Sequence, residues 1–476
     1  MMDAQMDLVS LVLALVIPVL VAVLVLGTLR LLLQVERWQQ RGDKRVVAFF
    51  HPYCHAAGGG EKVLWLALQA LQTCYPELDY VIYTGDNTVT ADQILAKVKD
   101  RLNIELVRRP RFVFLSLRVL VEASSYPYFT LLGQSLGSLA LAMEALLRMV
   151  PDIVIDTQGY AFAMPLFRYL GTCRVACYTH YPVISTDMLE RVGQQETAHN
   201  NHSFISSNPQ MTQLKLIYYN AFAMMYRAVG HCMDVVMVNS SWTRDHILHL
   251  WKLPHRTFTV FPPCSVKELA ALPAEKRERK ILSIAQFRPE KDHPLQLRAF
   301  SKLLSELGQP ATLVLAGGCR NQDDQNRVED LRKLAAELDI AQHVEFKLNI
   351  PFEELKKEME TSMIGLHTMW NEHFGIGNNN HVCAGVVDCM AAGMVMVSHD
   401  SGGPKLDIVV PVGNQPTGFL ATTEEEFAAA MAHVLAMSAE ERAAIVARAR
   451  QHVRKFSNEN FTQAFLQAIK PIFPSK

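Results

Sequence analysis

Short apolar runs recur along the chain, and each one ends in small or polar residues. The first, Val46–Phe50, leads into a glycine-rich loop and then into apolar residues at helical spacing. This order of strand, loop and helix repeats, and continuous apolar strands are typical of parallel sheets covered by helices on both faces. The predicted strand segments of the first half are 46–50, 79–86, 151–159, 174–182 and 234–242. Those of the second half lie in 279–292, 311–319, 343–350, 361–368 and 393–403.

The two series predict an α/β fold of two Rossmann-like, doubly wound domains that face each other across a cleft. A length of 476 residues agrees with more than one domain. The segment 261–280 separates the series, because it is rich in proline and charge and has no strong periodicity. We predict an N-terminal domain over 46–265, a C-terminal domain over 266–455 and, over 456–476, a C-terminal helix that packs back on the N-terminal domain.

Residues 1–45 have a different pattern. Positions 8–29 form a run of 22 residues without a charge, long enough to cross a hydrocarbon core of roughly 30 Å as a helix. Acidic residues precede the run and basic residues follow it, and basic flanks stay in the cytosol. The pattern predicts a single-pass transmembrane anchor with both domains on the cytosolic side. A cleaved signal peptide is the alternative, but the run is longer than a usual signal core and has no basic residues before it.

The segment 111–150 is also nearly continuous apolar sequence, with few charges. Buried helices are the favoured explanation of such a segment, and helices that lie in the membrane interface beside the anchor are the alternative. The sequence leaves both interpretations open.

Composition excludes several classes of function. Lys plus Arg number 46 and Asp plus Glu number 47, so a net charge of −1 provides no overall attraction for nucleic acid. The nine cysteines are an odd number without a C-x-x-C pair, which fits neither a disulfide framework nor a zinc site. We therefore predict a reducing compartment and no nucleic-acid partner. The three N-glycosylation sequons, at Asn201, Asn239 and Asn460, are then chance matches.

Candidate chemistry in the first half lies in the loops that follow strands, because open α/β sheets bind ligands at the carboxyl ends of their strands. Gly58, Gly59 and Gly60 follow the first strand and open a helix, where backbone N–H groups can hold an anionic group. A simple tight turn is the alternative, because the G-x-G-x-x-G spacing of a dinucleotide site is absent. His180 ends a later strand and can either contact a polar ligand or bond a backbone carbonyl.

In the second half, Arg288 and Lys291 lie in one loop after a strand. A guanidinium fork together with an ammonium group suits a diphosphate, whereas a solvated surface loop is the alternative.

An acidic motif follows further along the second half. Glu372 lies in the segment 370–377, whose glycines let backbone amides approach a ligand closely. The apolar segment 385–393 then begins a helix with Asp388 in its first turn. A carboxylate at that position can bind the vicinal hydroxyls of a ribose.

At these residues the sequence resembles the retaining glycosyltransferases of the two-domain GT-B fold. More closely, it is similar to the GDP-mannose-dependent α-1,2-mannosyltransferases of dolichol-linked oligosaccharide assembly. The resemblance spans nearly the whole chain through six motifs in order, HPYCHAAGGGEKVLW, YTHYPVISTDML, VNSSWTRDHI, SIAQFRPEKDHPLQL, HTMWNEHFGIG and SGGPKLDIV. It implies addition of the fourth and fifth mannoses from GDP-mannose to a dolichol-diphosphate-linked trimannosyl-chitobiose, on the cytosolic face of the endoplasmic reticulum, for protein N-glycosylation.

The resemblance also implies site residues. The C-terminal domain would bind the donor through Arg288, Lys291, Phe374, Gly375, Ile376, Gly377, Gly385 and Asp388. The acceptor would meet Gly58, Gly59, Gly60, Glu61 and Tyr181 of the N-terminal domain. The catalytic residues would be His180 beside the transferred sugar, Glu372 near the donor mannose, and Arg288 and Lys291 on the leaving diphosphate.

The expected partners follow from the same resemblance. They are GDP-mannose, the dolichol-diphosphate-linked oligosaccharide, the membrane of the endoplasmic reticulum and other mannosyltransferases of the dolichol pathway. We expect no cofactor and no catalytic metal, because fixed cations and helix N-termini stabilise the departing GDP in this family.

The acidic motif departs from the family pattern. Glu372 and Asp388 are 16 positions apart, where the family has eight and a second glutamate. The eight extra residues are either 378–385 or 377–384, so either Gly377 or Gly385 is the glycine before the helix. The extra loop can bulge outward, at a cost of about 0.6 kcal/mol per doubling of loop length, or it can block the diphosphate. A retained intron or an error in the gene sequence is a further hypothesis.

A catalytically impaired scaffold protein with the glycosyltransferase fold is therefore the alternative function. A dinucleotide-dependent oxidoreductase is disfavoured, because the glycine fingerprint and the acidic strand end are missing. A phosphorylase or hydrolase on the same fold stays open, since a fold does not determine a function.

Overall fold

The computed structural model describes residues 2–40, 44–56, 58–184, 209–273, 277–306, 310–375 and 385–473. Within these residues the chain forms two parallel sheets, and each sheet carries an apolar cluster on both of its faces. The predicted α/β architecture with two doubly wound halves is confirmed.

The first sheet has seven strands in the order β3-β2-β1-β4-β5-β6-β7, and all of its pairings are parallel. Its strands are β1 (Val46–Phe50), β2 (Asp79–Thr84), β3 (Arg111–Phe114), β4 (Ile153–Asp156), β5 (Arg174–Thr179), β6 (Val235–Val238) and β7 (Thr257–Thr259). The helices of this half are α1 (Met2–Gln40), α2 (Gly59–Cys74), α3 (Ala91–Leu102), α4 (Thr130–Arg148), α5 (Met164–Tyr169), α6 (Pro209–Gly230) and α7 (Ser241–Trp251).

The second sheet has six strands in the order β10-β9-β8-β11-β12-β13, again all parallel. Its strands are β8 (Glu278–Ile284), β9 (Thr312–Gly317), β10 (Val344–Leu348), β11 (Ser362–His367), β12 (Val395–His399) and β13 (Gly418–Ala421). The remaining helices are α8 (Val266–Ala270), α9 (His293–Glu306), α10 (Gln322–Glu337), α11 (Phe352–Thr361), α12 (Gly385–Ala392), α13 (Glu424–Ala436), α14 (Ala439–Val453) and α15 (Asn458–Ile469).

The strand sequences explain why helices cover both faces. Along β1, Ala48 and Phe50 belong to the apolar cluster on one face, whereas Val47 and Phe49 belong to the cluster on the other. Successive side chains of a strand point to opposite faces, so an entirely apolar strand needs cover on both. In each sheet the strand order reverses beside the first strand, at β1 and β4 and at β8 and β11. Ligands of open α/β sheets bind at such switch points.

The apolar segment 111–150 is not helical throughout. It begins with the edge strand β3, so the interpretation of the whole segment as helices was wrong for Arg111–Phe114. Its main helix is α4, which buries Leu141, Ala142, Ala145 and Leu146 completely against the first sheet. The opposite face of α4 exposes Leu136 and Leu147. One face of α4 is therefore core, and the other is apolar surface.

The helix α1 leaves the first domain, and from Val16 onward most of its described apolar side chains are exposed. Its segment from Val16 is long and apolar enough to cross a membrane, and among the described helices only α4 also meets that criterion. The last turns of α1 are attached to the domain, because Leu33 is 1% exposed and Gln34 donates to the carbonyl of Gly171 at 3.2 Å. Arg37 completes the attachment with an ion pair to Asp152 at 2.5 Å.

The C-terminal helix α15 lies against the first half of the molecule. Phe461 and Phe465 join the apolar cluster of β1 and α2, and Phe461 packs edge-on against Tyr178 of β5. Phe473, just beyond the helix, stacks on Tyr75 with ring centroids 4.7 Å apart. The chain therefore crosses back from the second sheet to the first before it ends.

Candidate active site

The two halves meet beside the carboxyl ends of their strands. Tyr181, which follows β5, stacks on His373 of the second half with ring centroids 4.3 Å apart, and Trp242 stacks on the same imidazole at 4.3 Å. Asp407 of the second half accepts hydrogen bonds from the backbone N–H and the hydroxyl of Ser241, at 2.8 and 2.6 Å. Ser241 begins α7, so a carboxylate meets a helix N-terminus across the boundary. These contacts hold the carboxyl edge of the first sheet opposite the carboxyl edge of the second.

A buried charged cluster occupies the carboxyl edge of the second sheet. Lys291, from the loop after β8, forms an ion pair with Glu372, from the loop after β11. His367, the last residue of β11, places its Nε2 atom 3.4 Å from the Glu372 carboxylate. Burial alone would raise the pKa of Glu372, but the charge of Lys291 and the contact with His367 outweigh it and hold that pKa well below its usual range. Glu372 is therefore an anion in the folded protein.

A hydrogen-bonded layer beneath this cluster holds it in place. The Thr368 hydroxyl donates to the carbonyl oxygens of Lys291 and Asp292, at 2.9 and 3.1 Å. Gln296 in α9 donates its side-chain amide to the same hydroxyl at 2.9 Å. These bonds join the loop after β8 to the end of β11, so the ammonium group and the carboxylate are held by rigid elements.

A second loop packs against the backbone of Glu372 without any side chain between them. The N–H of Gly403 donates to the carbonyl of Glu372 at 2.7 Å. A Cβ atom at Gly402 would lie 2.4 Å from that carbonyl, and one at Gly403 would lie 2.2 Å from the carbonyl of His373. Gly402 also has a φ of +56°, which favours glycine. The two glycines of the motif SGGPKLDIV therefore let this loop approach the backbone of Glu372 and His373 closely.

Two of the other predicted donor residues, Phe374 and Gly375, follow Glu372 closely in the chain. Phe374 is completely buried and packs against Phe261 and Phe456, and Gly375 has a φ of +85°. Ile376 and Gly377 lie outside the described residues, as does most of the extra stretch.

Within the part of the chain that the structure describes, two predicted donor residues, Arg288 and Asp388, form no ion pair or hydrogen bond with Lys291 or Glu372. Arg288 has its guanidinium 3.7 Å from Glu290, and its side chain is 31% exposed. Asp388 lies in the first turn of α12, as the sequence predicted, and its side chain is buried. The backbone of Gly385 lies against the end of β8, where a Cβ atom would be 2.9 Å from the carbonyl of Ile284. Helix α12 therefore begins beside the same strand edge as Lys291.

The carboxyl edge of the first sheet carries a different arrangement. Gly58 caps α2, and its N–H donates to the Glu61 carboxylate at 2.6 Å. The other Glu61 oxygen lies 3.7 Å from the imidazole of His51, which follows β1 and is completely buried. Burial raises the pKa of Glu61, but the contact with His51 and the N–H of Gly58 outweigh it, and the pKa is lowered overall. The hydrogen bond from Gly58 to Glu61 therefore fixes the position of the glycine loop.

His180 lies beside this loop. Its Nε2 atom donates to the carbonyl of Thr157 at 3.1 Å, which is the backbone bond that sequence reasoning kept as an alternative. A Cβ atom at Gly60 would lie 3.9 Å from the same nitrogen. Burial lowers the pKa of His180 to about 4, so the imidazole is neutral at physiological pH. Asn239 fixes the backbone by donating to the carbonyl of His180 at 2.9 Å.

Two family models match the chain over these two halves. Residues 44–251 match the model described as ALG11 mannosyltransferase N-terminus, and residues 267–452 match glycosyl transferases group 1. The human protein named GDP-Man:Man(3)GlcNAc(2)-PP-Dol alpha-1,2-mannosyltransferase is 53% identical over 464 residues, 95% of this chain and 93% of that protein. The Dictyostelium discoideum protein of the same name is 46% identical, over 90% of this chain and 84% of its own length.

The chain belongs to this mannosyltransferase family. It is a glycosyltransferase. The family that the six motifs predicted, the α-1,2-mannosyltransferases of dolichol-linked oligosaccharide assembly, is therefore confirmed.

Solved structures agree on the fold. A glycosyltransferase from Rickettsia africae superposes with a TM-score of 0.59 at 15% identity, over 91% of this chain and all of that one. A sucrose-phosphate synthase from Thermosynechococcus elongatus superposes with a TM-score of 0.63 at 16% identity, over 90% of this chain and 99% of that one. At such low identity the likeness concerns the fold alone, and it confirms the GT-B arrangement of this family member.

Several side chains of the site escaped sequence reasoning. His51, Thr157 and His367 are buried polar residues at or beside strand ends, and Gln296 is a buried polar residue in α9. Three of them lie within motifs that carried the family resemblance, so the signal was present without an assigned role. Thr157 gave no signal, because its hydroxyl binds His51 at 2.8 Å across 106 residues of sequence. Within the described residues, no group of three or more His, Cys, Asp or Glu is arranged to hold a metal ion.

Proposed function

We propose that this chain transfers mannose from GDP-mannose, in α-1,2 linkage, to a dolichol-diphosphate-linked trimannosyl-chitobiose. It adds the fourth and fifth mannoses. The observation that carries the proposal is the buried Lys291–Glu372 pair at the carboxyl edge of the second sheet, in a chain 53% identical to a relative whose name states this reaction.

On the donor side, each charged group contacts one part of GDP-mannose. Lys291 and Arg288 bind the diphosphate and stabilise the charge that develops on it as the bond to mannose breaks. Glu372 is an anion whose second oxygen accepts hydrogen bonds from mannose hydroxyls, since Lys291 engages the first. Asp388 binds the ribose, and the glycines of the loop before α12 let backbone N–H groups approach the phosphates.

On the acceptor side, the glycine loop Gly58–Gly60 and Tyr181 bind the sugar that receives mannose. Glu61 supports the loop through the Gly58 N–H. His180 contacts the transferred sugar through its ring edge, and its neutral state lets it lie close to the positive charge that develops at the anomeric carbon as GDP departs.

The transfer retains the anomeric configuration by front-face attack. The bond between the mannose C1 and the diphosphate oxygen breaks, the acceptor 2-hydroxyl oxygen bonds to C1 from the same side, and its proton passes to the departing phosphate oxygen. The ion pair of Glu372 supports this route, because a carboxylate engaged by Lys291 is a poor nucleophile. The leaving group is GDP, and no covalent enzyme intermediate forms.

The test uses the purified full chain in detergent, GDP-mannose and a trimannosyl lipid-linked acceptor. We expect two added mannoses that α-1,2-mannosidase removes, with α configuration by proton NMR. No transfer, or addition of a β-linked mannose, would contradict the proposal.

The extra stretch between Glu372 and Asp388 favours a second candidate function, a catalytically impaired scaffold. The same assay on a chain lacking 378–385 separates the two. Transfer by the full chain supports the enzyme, whereas transfer by the shortened chain alone shows that the stretch disables the donor site.

The proposed location is the cytosolic face of the endoplasmic reticulum, with α1 as a single transmembrane anchor. The exposed apolar side chains of α1 and the basic residues that follow support it. Asn239 is 2% exposed, so this sequon is a chance match in the folded protein. Protease digestion of intact microsomes should degrade both domains, and full protection would contradict the orientation.

A further inference from the structure

A basic cavity lies at the opposite edge of the first sheet from the candidate active site. It encloses about 230 Å³ beneath the amino ends of β1, β2 and β3. Five cationic side chains line it, Arg37, Lys44, Arg108, Arg109 and Arg111, against two carboxylates, Asp79 and Asp152. Since β1 has five residues, one strand length of roughly 17 Å separates this cavity from the glycine loop.

The local ion pairs leave part of this positive charge uncompensated. Asp152 pairs with Arg37 at 2.5 Å, and Arg109 pairs with Asp92 at 2.7 Å. Asp79 is shared, because Lys44 and Arg108 each lie 4.0 Å from one of its oxygens. Among the described residues, Arg111 forms no ion pair within 4.0 Å. Two positive charges therefore remain after three pairings of the five cations.

The cavity also contains a hydrogen-bond donor that the described residues leave unused. The Nη2 atom of Arg108 is buried and has no hydrogen-bond partner among the described residues. A second cavity beneath the other sheet shows the contrast, because two of the four arginines that line it, Arg277 and Arg450, are used by the fold. Arg277 donates to four backbone carbonyls there, and Arg450 donates to three. The cavity of the first sheet keeps Lys44, Arg108 and Arg111 available for a ligand.

The position of the cavity along α1 places it near a membrane surface. Trp38 is 78% exposed in the turn that carries Arg37, and the preceding side chains Leu31, Leu32 and Val35 are exposed apolar residues. Tryptophan next to an apolar helix end is typical of the headgroup level of a bilayer. Because α1 rises about 1.5 Å per residue, Arg37 lies within roughly 8 Å of Leu32 along the axis. A lipid headgroup therefore has access to the cavity.

We propose that this cavity is a binding site for a phosphate monoester, separate from the donor and acceptor sites. A phosphate monoester carries about −1.5 to −2 charges at neutral pH, which matches the two uncompensated cations. The volume of about 230 Å³ holds a phosphate together with several waters, each of which occupies roughly 30 Å³. The monoester comes from the headgroup of an anionic lipid or from a soluble metabolite, and both present the same group to Lys44, Arg108 and Arg111.

The test measures ligand binding to the full chain in detergent by native mass spectrometry. The probes are dioleoyl phosphatidic acid, dioleoyl phosphatidylcholine and glycerol 3-phosphate. The variant K44E/R111E reverses the charge of Arg111 and of Lys44, whose contact with Asp79 is 4.0 Å long, and K333E/K357E makes the same charge change on exposed lysines of the second domain. Circular dichroism checks that each variant folds, and K44Q/R111Q replaces the reversal if it does not.

We expect one phosphatidic acid per chain, no phosphatidylcholine, and an affinity about tenfold or more lower in K44E/R111E but unchanged in K333E/K357E. Competition by glycerol 3-phosphate at equal concentration supports the site and assigns it to soluble monoesters. Equal binding to K44E/R111E, equal binding of phosphatidylcholine, or binding of neither phosphate probe would overturn the proposal. Mannosyl transfer in detergent is recorded separately, so a failure of the proposed reaction is distinguished from a failure of this site.

Discussion

The two carboxyl edges that face each other are built on the same scaffold and carry opposite kinds of chemistry. Both sheets are parallel, and both reverse their strand order beside their first strand. The second edge holds an ion pair, Lys291 with Glu372, whereas the first holds His51 and His180, hydrogen bonded to Thr157. A diphosphate needs fixed cations, and a neutral sugar needs hydrogen bonds. The loops after the strands, and not the sheets, decide which partner each edge can bind.

Glycine is also used differently at the two edges. Gly402 and Gly403 admit no side chain, because the backbone of the Glu372 loop fills the space. Gly60 has open space, since its nearest neighbour is the His180 ring at 3.9 Å. The second edge is therefore rigidly packed, and the first leaves room for a ligand.

The largest expected effect comes from removing the charge of Glu372. In Glu372→Gln, Lys291 loses its charged partner and, in the proposed mechanism, the mannose hydroxyls lose an anionic acceptor, so kcat should fall about 10²- to 10³-fold. Steady-state transfer from GDP-mannose measures the change. Glu353→Gln, an exposed glutamate of α11, is the matched control and should retain wild-type activity. Activity within threefold of wild type in Glu372→Gln would remove Glu372 from the reaction.

A second variant tests the close packing at this edge. Gly402 and Gly413 both have a φ of +56°, but only Gly402 faces a backbone oxygen, at 2.4 Å from a Cβ. Gly413→Ala should cost about 1–2 kcal/mol of stability through backbone strain. Gly402→Ala should cost more, about 3–5 kcal/mol, because the Glu372 loop must move. Thermal unfolding measures both, and equal losses would show that the contact does not matter.

The pH dependence of stability tests the buried neutral imidazoles of the second half. Burial lowers the pKa of His293 to about 3 from an ordinary value of 6.5. Between these pH values His293 carries a proton in the unfolded chain but not in the folded chain. The free energy of unfolding therefore has its full value above pH 6.5 and falls as the pH drops below it. From pH 7.5 to 5 the wild type should lose about 2 kcal/mol more than His293→Gln. Urea titrations at the two pH values measure the difference, and parallel curves would contradict it.

The smallest expected effect is on the stability of the first edge. In Gly60→Ala the methyl group makes only an ordinary contact with His180, and alanine favours a helix by about 0.5–1 kcal/mol over glycine. The variant should therefore be as stable as the wild type or slightly more so. If the loop binds the acceptor, the KM for the lipid-linked acceptor should rise while that for GDP-mannose stays constant. Unchanged kinetics would argue against an acceptor at this loop.

Much of the architecture follows from local sequence. Apolar strands such as β1 and β12, each followed by a loop and a helix, identify the parallel sheets because a strand buried on both faces must be apolar throughout. The edge strand β3 escaped this reasoning, since four residues at the start of a long apolar segment have no pattern of their own. The short β7 and β13 were also missed, because runs of three and four residues are too short to show a pattern.

What the sequence determined by itself is the family, the two-domain α/β fold and the candidate residues Lys291, Glu372 and His180. These follow from motifs and periodicity, which are properties of neighbouring positions. Only the tertiary structure decided which residues meet, because Lys291 reaches Glu372 across 81 positions and His51 reaches Thr157 across 106. Contacts across such distances depend on strand order, and strand order is set by how helices bury both faces of each sheet.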